Sequence, residues 1–207
     1  MKILEIIDLP LKGAKIIEFA RFTDNRGYFS EVFQKEDFKG LASELGLEGL
    51  EFVQVNESRS RAKVIRGLHF QYEPPIGKMV RLLYGQAVDM ALDVRSGSPT
   101  FGQMILVDMA SGPSQSTGRW IWLPPGLAHG NFYLADSAIE YFCTALYNPK
   151  GEVGISPMDG EIDLSLCSES LKQTYLDFLK EPYIISERDK EGLTLAKWRL
   201  DDRASLV

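Results

Sequence analysis

The chain has 207 residues, enough for one substantial domain with its own apolar core. With 44% hydrophobic and 25% charged residues, it has the balance of a globular protein and not of a disordered or fibrous one. Its 23 Lys and Arg against 29 Asp and Glu leave a formal charge of −6, which disfavours general nucleic-acid binding but leaves room for a small anionic ligand held by local cations.

The opening MKILEIIDLP carries Glu5 and Asp8, so it lacks the unbroken apolar core of a signal peptide. No apolar run approaches the ~20 residues that a membrane-spanning helix needs. FTDNRGYFSEVF (22–33) sets Asp24, Arg26 and Glu31 among Phe22, Tyr28, Phe29 and Phe33 around Gly27, and reads as a hairpin. KEDFKGLASELG (35–46) places Phe38, Leu41, Ala42 and Leu45 on one stripe and predicts a short amphipathic helix stopped by Gly46. QVNES (54–58) puts Gln54 and Asn56 on one strand face. Residues 79–84 form an apolar-rich run ended by Gly85. AVDMALDV (87–94) then alternates strictly, with Val88, Met90, Leu92 and Val94 on one face and Ala87, Asp89, Ala91 and Asp93 on the other. After a Ser-Gly-Ser-Pro turn at 96–99, FGQMILVDM, WIWLPPG and IEYFCTALYNP continue the strand pattern. SESLKQTYLDFLK (168–180) predicts a second helix, with Leu171, Tyr175, Phe178 and Leu179 on one face, Ser168 as its cap and Pro182 beyond its end. Many short strands at near-regular spacing predict an antiparallel sandwich or barrel. With no linker or repeat, residues 1–207 read as one domain with a helical C-terminal appendage from about residue 165.

Only two histidines are present, His69 in VIRGLHFQ (64–71) and His129 in LPPGLAHGN (123–131). A lone histidine is more often structural than catalytic. Here, though, one follows Arg66-Gly67 and the other a Pro-Pro-Gly turn, and rigid turns are where sites tend to be placed. Arg66 and Lys78 bracket His69 and could hold phosphates, the first by bidentate contact and the second as a point charge. Counting by twos from Tyr141 gives Cys143, Ala145 and Tyr147, which places both tyrosines on one strand face with small residues between them. Taken singly, each of these is more often a surface charge or a packed aromatic. Cys143 and Cys167 form no CxxC pair and no zinc spacing, so reduced thiols and a cytoplasmic location are expected.

Together the segments FTDNRGYFSE, FVQVNESRSRAKVIRGLHFQ, GKMVRLLYGQAVDMALDVRSGSPTFG, LPPGLAHGN and YFCTALYNP resemble the dTDP-4-dehydrorhamnose 3,5-epimerase family of the cupin superfamily, over roughly residues 22–162. The resemblance implies an all-β fold, a double-stranded β-helix or jelly-roll barrel with short peripheral helices, built as a homodimer that exchanges N-terminal strands. It implies cofactor-free and metal-free inversion at C3 and C5 of a nucleoside-diphosphate 4-keto-6-deoxyhexose, as in rhamnose-type deoxysugar biosynthesis. His69 matches the family's base, Tyr141 its acid, and Asp189 in IISERD (184–189) the carboxylate that orients the base. Arg26, Glu31, Gln54, Asn56, Arg66, Lys78, Asp89, His129 and Tyr147 match substrate-contacting or site-lining positions.

The chain also departs from the family pattern. Pro157-Met158-Asp159-Gly160 and Ile162-Asp163-Leu164 stand where the family carries tryptophans, and the stretch leading to Asp189 is longer than usual. A single-centre 3-epimerase therefore stays open beside the 3,5-epimerase. So do a non-catalytic sugar-nucleotide binder and a metal-dependent cupin, although Gln71 stands where a metal cupin's second histidine would be.

Overall fold

The computed structural model describes residues 1–46, 49, 51–109 and 116–207. Its first strands are β1 (Ile3–Asp8) and β2 (Lys15–Ala20), then a small hairpin of β3 (Phe22–Asp24) and β4 (Gly27–Phe29). Two short helices, α1 (Lys35–Gly40) and α2 (Ala42–Leu45), lead to the main strands. These are β5 (Gln54–Ser60), β6 (Ile65–Gln71), β7 (Lys78–Tyr84), β8 (Ala87–Asp93), β9 (Met104–Asp108), β10 (Thr117–Leu123), β11 (Leu127–Tyr133) and β12 (Ser137–Cys143). Then come β13 (Glu152–Gly154), α3 (Glu169–Lys180), α4 (Glu187–Lys190), α5 (Leu195–Arg199) and a final 3₁₀ turn over Asp202–Leu206.

The strands pair antiparallel into a six-stranded sheet, β1-β2-β10-β7-β12-β5, and a five-stranded sheet, β13-β6-β11-β8-β9. Apolar side chains from both sheets meet between them, including Val80, Ile121 and Ile139 from the first and Ala91, Ile105 and Tyr133 from the second. This is a jelly-roll of the cupin type, and the space between its sheets is where a ligand can enter.

Both predicted helices form, and each has a local cause. The first is broken in two at Leu41, beside Gly40, and it ends at Gly46, whose φ of 64° suits a residue without Cβ. The second runs over Glu169–Lys180, and the Ser168 side chain caps it by accepting from the Leu171 amide. Its Tyr175 and Phe178 rings pack against Phe132 at centroid distances of 5.4 and 5.0 Å. Trp198 of α5 is fully buried against Phe70. The C-terminal helices thus close the outer face of the five-stranded sheet, and Tyr175 donates to the Pro157 carbonyl in the segment that departs from the family pattern.

That cover changes the meaning of the alternation in 87–94. Val88, Met90 and Leu92 join the core under the C-terminal helices, but Ala87, Asp89 and Ala91 face the space between the sheets, so β8 is buried along its whole length. The two carboxylates must then find partners inside. Asp93 accepts from Arg95 Nε and Nη2 at 2.9 and 2.8 Å and from the hydroxyls of Ser98 and Thr100 at 2.7 and 2.6 Å. Burial works against its charge, but these bonds outweigh it and hold Asp93 below the usual carboxylate range. A depressed carboxylate stabilises the fold above its unfolded value, near 4, and that contribution disappears as the pH falls through the folded value. Asp93→Asn is therefore expected to cost about 3 kcal/mol in urea unfolding at pH 7. The gap to wild type should close progressively below about pH 4. Equal stability of the two chains at pH 7 would show that Asp93 does no such work.

Candidate active site

The site is built around an irregularity in β6. His129 on β11 pairs with His69 on β6, and Asn131 pairs with Arg66, so two residues on β6 stand opposite the single Gly130 on β11. This bulge reverses the parity of the strand. In a regular strand Arg66 and His69, three apart, would point to opposite faces; here both line the space between the sheets. Gly67 permits it. Its φ is 99°, and a Cβ there would lie 2.6 Å from the His129 carbonyl oxygen and 2.7 Å from Gly130 Cα.

The resulting cavity, of about 540 Å³, takes Arg66, Gly67 and His69 from β6 and His129 and Asn131 from β11. The opposite wall supplies Lys78 and Tyr141 from β7 and β12. Residues 184–189 of the C-terminal segment close one side. Asp189 enters on α4, where Ser186 caps the helix by accepting from the Asp189 amide. Its Oδ1 lies 2.8 Å from His69 Nε2, and its Oδ2 accepts from the Gly67 amide at 3.1 Å. Burial penalises this carboxylate, but the bonds from His69 and Gly67 hold it below the ordinary range, so it is a permanent acceptor at neutral pH. With Nε2 engaged, Nδ1 is the nitrogen left to take a proton.

Tyr141 stands on the other sheet. Burial pushes its phenol up, and Arg66 and Asn56 pull it back only in part, so it keeps its proton at neutral pH. Burial also pushes Lys78 down, against the attraction of Cys143, Glu152 and Asp89. Its ammonium donates to the His69 carbonyl at 3.3 Å. A smaller recess of about 270 Å³ adjoins, lined by Gln54, Asn56, Lys78, Tyr141, Tyr147 and Glu152 among others. Gln54 and Asn56 share a face as their spacing predicts, joined by a 3.0 Å hydrogen bond.

Two sequence expectations change here. Tyr147 does not share a strand with Tyr141: β12 ends at Cys143, and Tyr147 reaches the recess from the loop beyond, with its hydroxyl 3.2 Å from Glu152 Oε2. Counting by twos fails once the ladder stops. Arg26 and Glu31 line neither space. Arg26 is exposed at the hairpin tip and paired with Asp24, and Glu31 holds the N-terminal amine. Asp89 is fully buried behind His129, accepting at 2.7 Å from its Nε2.

A family model described as dTDP-4-dehydrorhamnose 3,5-epimerase matches residues 8–197. The chain belongs to this family. The epimerase of Methanothermobacter thermautotrophicus is 40% identical over 89% of this chain and 90% of its own. A solved epimerase from Legionella pneumophila, in complex with dTDP-4-keto-L-rhamnose, is 34% identical, covers 93% of both chains and superposes with a TM-score of 0.76. A 3'-monoepimerase from Streptomyces bikiniensis, solved with dTDP-quinovose, is 27% identical over 92% of this chain and 88% of its own, with a TM-score of 0.72.

The structure of this epimerase-family chain also brings in residues that the sequence reading passed over. Asn131 shares the inward face of β11 with His129, a period of two that the LAHGN motif already carries. Glu152 and Arg188 meet as an ion pair at the cavity mouth, and they carry no motif that a strand count would single out. Gln71 does structural work. Its amide donates to the carbonyls of Pro74 and Leu146 at 2.9 and 3.1 Å and accepts from the Asn148 amide at 2.7 Å. Among the described residues, no group of three or more His, Cys, Asp or Glu is placed to hold a metal ion, and no helix is long and apolar enough to cross a membrane.

Proposed function

We propose that the protein inverts C3 and C5 of a dTDP-linked 4-keto-6-deoxyhexose by enolisation between His69 and Tyr141, in the cytoplasm, without metal or cofactor. The observation that carries this reading is that a His–Asp pair and a protonated phenol line one cavity from facing sheets. The 4-ketone acidifies the C–H bonds on either side of it. His69, held by Asp189, takes a proton from one face. The enolate oxygen is balanced by the Lys78 ammonium, and the His129 ring beside it orients the sugar. Tyr141 returns a proton from the opposite face, which inverts the centre. Arg66 suits the diphosphate. Incubation with dTDP-4-keto-6-deoxyglucose in D₂O tests the scheme by NMR: deuterium at C3 and C5 with inversion at both supports it. Deuterium at C3 alone would make the chain a single-centre enzyme, like the Streptomyces bikiniensis monoepimerase by its name.

The reading includes a homodimer. Phe22, Tyr28 and Phe29 of the hairpin and Val53 and Val55 at the free edge by β5 are all about half exposed or more, an apolar surface of the kind that a second copy covers. In such a dimer Arg26 and Glu31 would reach the partner's cavity. This has a clean test, since Arg26→Ala and His69→Ala would then lie in different sites of a mixed dimer. Co-expressing the two inactive chains should restore about one quarter of the wild-type rate, because half the dimers are mixed and each has one intact site. No recovery from two inactive chains would place Arg26 in its own chain's site, and a fully active Arg26→Ala chain would place it outside any.

A further inference from the structure

Behind His129 lies a buried polar string that the scheme above does not use. Asp89 and Asn131 are both almost fully buried, on adjacent strands and directly opposite each other. Asp89 Oδ1 accepts from His129 Nε2 and also from the Asn131 amide. The amide's remaining contact is with Met109 Sδ at 3.6 Å. Asp89 Oδ2 is buried with no hydrogen-bond partner among the described residues. All the fixing of this carboxylate therefore falls on one oxygen and two donors. A buried carboxylate held by a single donor is free to turn about its Cβ–Cγ bond, and the ring that it holds turns with it.

We propose that Asn131 is a positioning residue for the reaction: by sharing Asp89 Oδ1 with His129 it locks the carboxylate, and the carboxylate locks the His129 ring with its Nε2–H on Asp89 and its Nδ1 edge facing the cavity. The proposal rests on the epimerase reading, in which His129 faces the substrate. The chemistry favours a neutral amide in this place. An amide N–H occupies one lone pair of Oδ1 and leaves the other for His129, and unlike Lys or Arg it adds no charge beside that ring. An ionised Asp89 can only accept, so His129 Nε2 must carry its proton, and Nδ1 is left for the cavity side. Alanines 87 and 91 flank Asp89 on the same face of β8, so bulk there does not hold the carboxylate in place of the amide.

The chain's two histidines make the test direct, because NMR of the imidazole nitrogens has only two rings to resolve. Wild type should show both rings protonated at Nε2, each with a downfield, exchange-protected proton, one for His69–Asp189 and one for His129–Asp89. In Asn131→Ala the His129 proton should broaden or vanish while that of His69 stays. In parallel, kcat should fall about 10- to 100-fold with KM for dTDP-4-keto-6-deoxyglucose nearly unchanged, the loss expected when a reacting group is misplaced but binding contacts remain. A folded Asn131→Ala chain with an unmoved His129 signal, or with wild-type kcat, would overturn the proposal. If that variant does not fold, the wild-type spectrum decides, since a neutral His129 ring protonated at Nδ1 is incompatible with the string. The ring signals need no substrate. A wild-type chain with the expected signals and no epimerisation would therefore count against the proposed activity and not against the hydrogen-bonded string.

Discussion

Replacing His69 with alanine is expected to abolish exchange of the sugar's C3 and C5 protons with solvent, by about 10²–10⁴-fold, while dTDP binding persists. The size follows from its place in the site. Its Nε2 is paired with Asp189, a carboxylate held below the ordinary range and supported by a second donor, the Gly67 amide, which leaves its other ring nitrogen free to take a proton. Every enolisation must begin with removal of a proton, so one substitution should stop exchange at both carbons together. On the proposed reading the diphosphate and nucleobase contacts come from other side chains, so binding should survive. Folding should survive too, because His69 is partly exposed to the cavity and its loss opens no sealed void. Deuterium incorporation followed by NMR, with dTDP affinity measured by calorimetry, separates the two effects. A folded variant that keeps most of its exchange rate would remove His69 from the mechanism.

Tyr141→Phe should give a different result, because it removes the donor and spares the base. An enolate still forms, but it is reprotonated from the side that it left. Deuterium then enters without inversion, or inversion falls far more than exchange does, on the order of 10²-fold. The comparison is internal to one sample and independent of enzyme concentration. Tyr141 suits this role because burial raises its phenol, which keeps the proton in place until a strongly basic carbon centre calls for it. The loss of one hydroxyl that borders a cavity should cost little stability; in a sealed core it would leave a partner unsatisfied at about 1–3 kcal/mol. If the variant inverts as fast as wild type, Tyr141 is not the acid. Tyr147, at the edge of the adjoining recess, would then be tested next.

Much of this architecture is legible in the chain itself. Strict alternation in 87–94, short apolar runs and Gly- or Pro-rich breaks define an antiparallel β protein, because strand side chains repeat every two residues whatever surrounds them. The Ser168 cap and the Gly46 stop are equally local, since each satisfies the backbone within one turn. The rarity of histidine, with one copy just after Arg66-Gly67 and the other after a Pro-Pro-Gly turn, marks the chemistry in the sequence itself.

Other features depend on how distant strands meet. Asp189 reaches His69 across 120 positions only because α3, α4 and α5 fold back over the five-stranded sheet. Nothing in the alternation of 87–94 says that Asp89 and Asp93 face inward, since burial on both faces depends on what covers the sheet. Tyr147 leaves the register of Tyr141 because pairing with β5 and β7 stops at Cys143. The deciding case is the bulge in β6. The local sequence puts Arg66 and His69 on opposite faces; pairing with β11 puts them on one, since Gly67 alone has the φ and the missing Cβ that let the strands close there. Periodicity is a property of the chain's own geometry, so sequence alone determined the central strands and the ends of the two predicted helices. Parity across a bulge belongs to two strands and their shared packing, so only the tertiary structure could decide which side chains share the cavity.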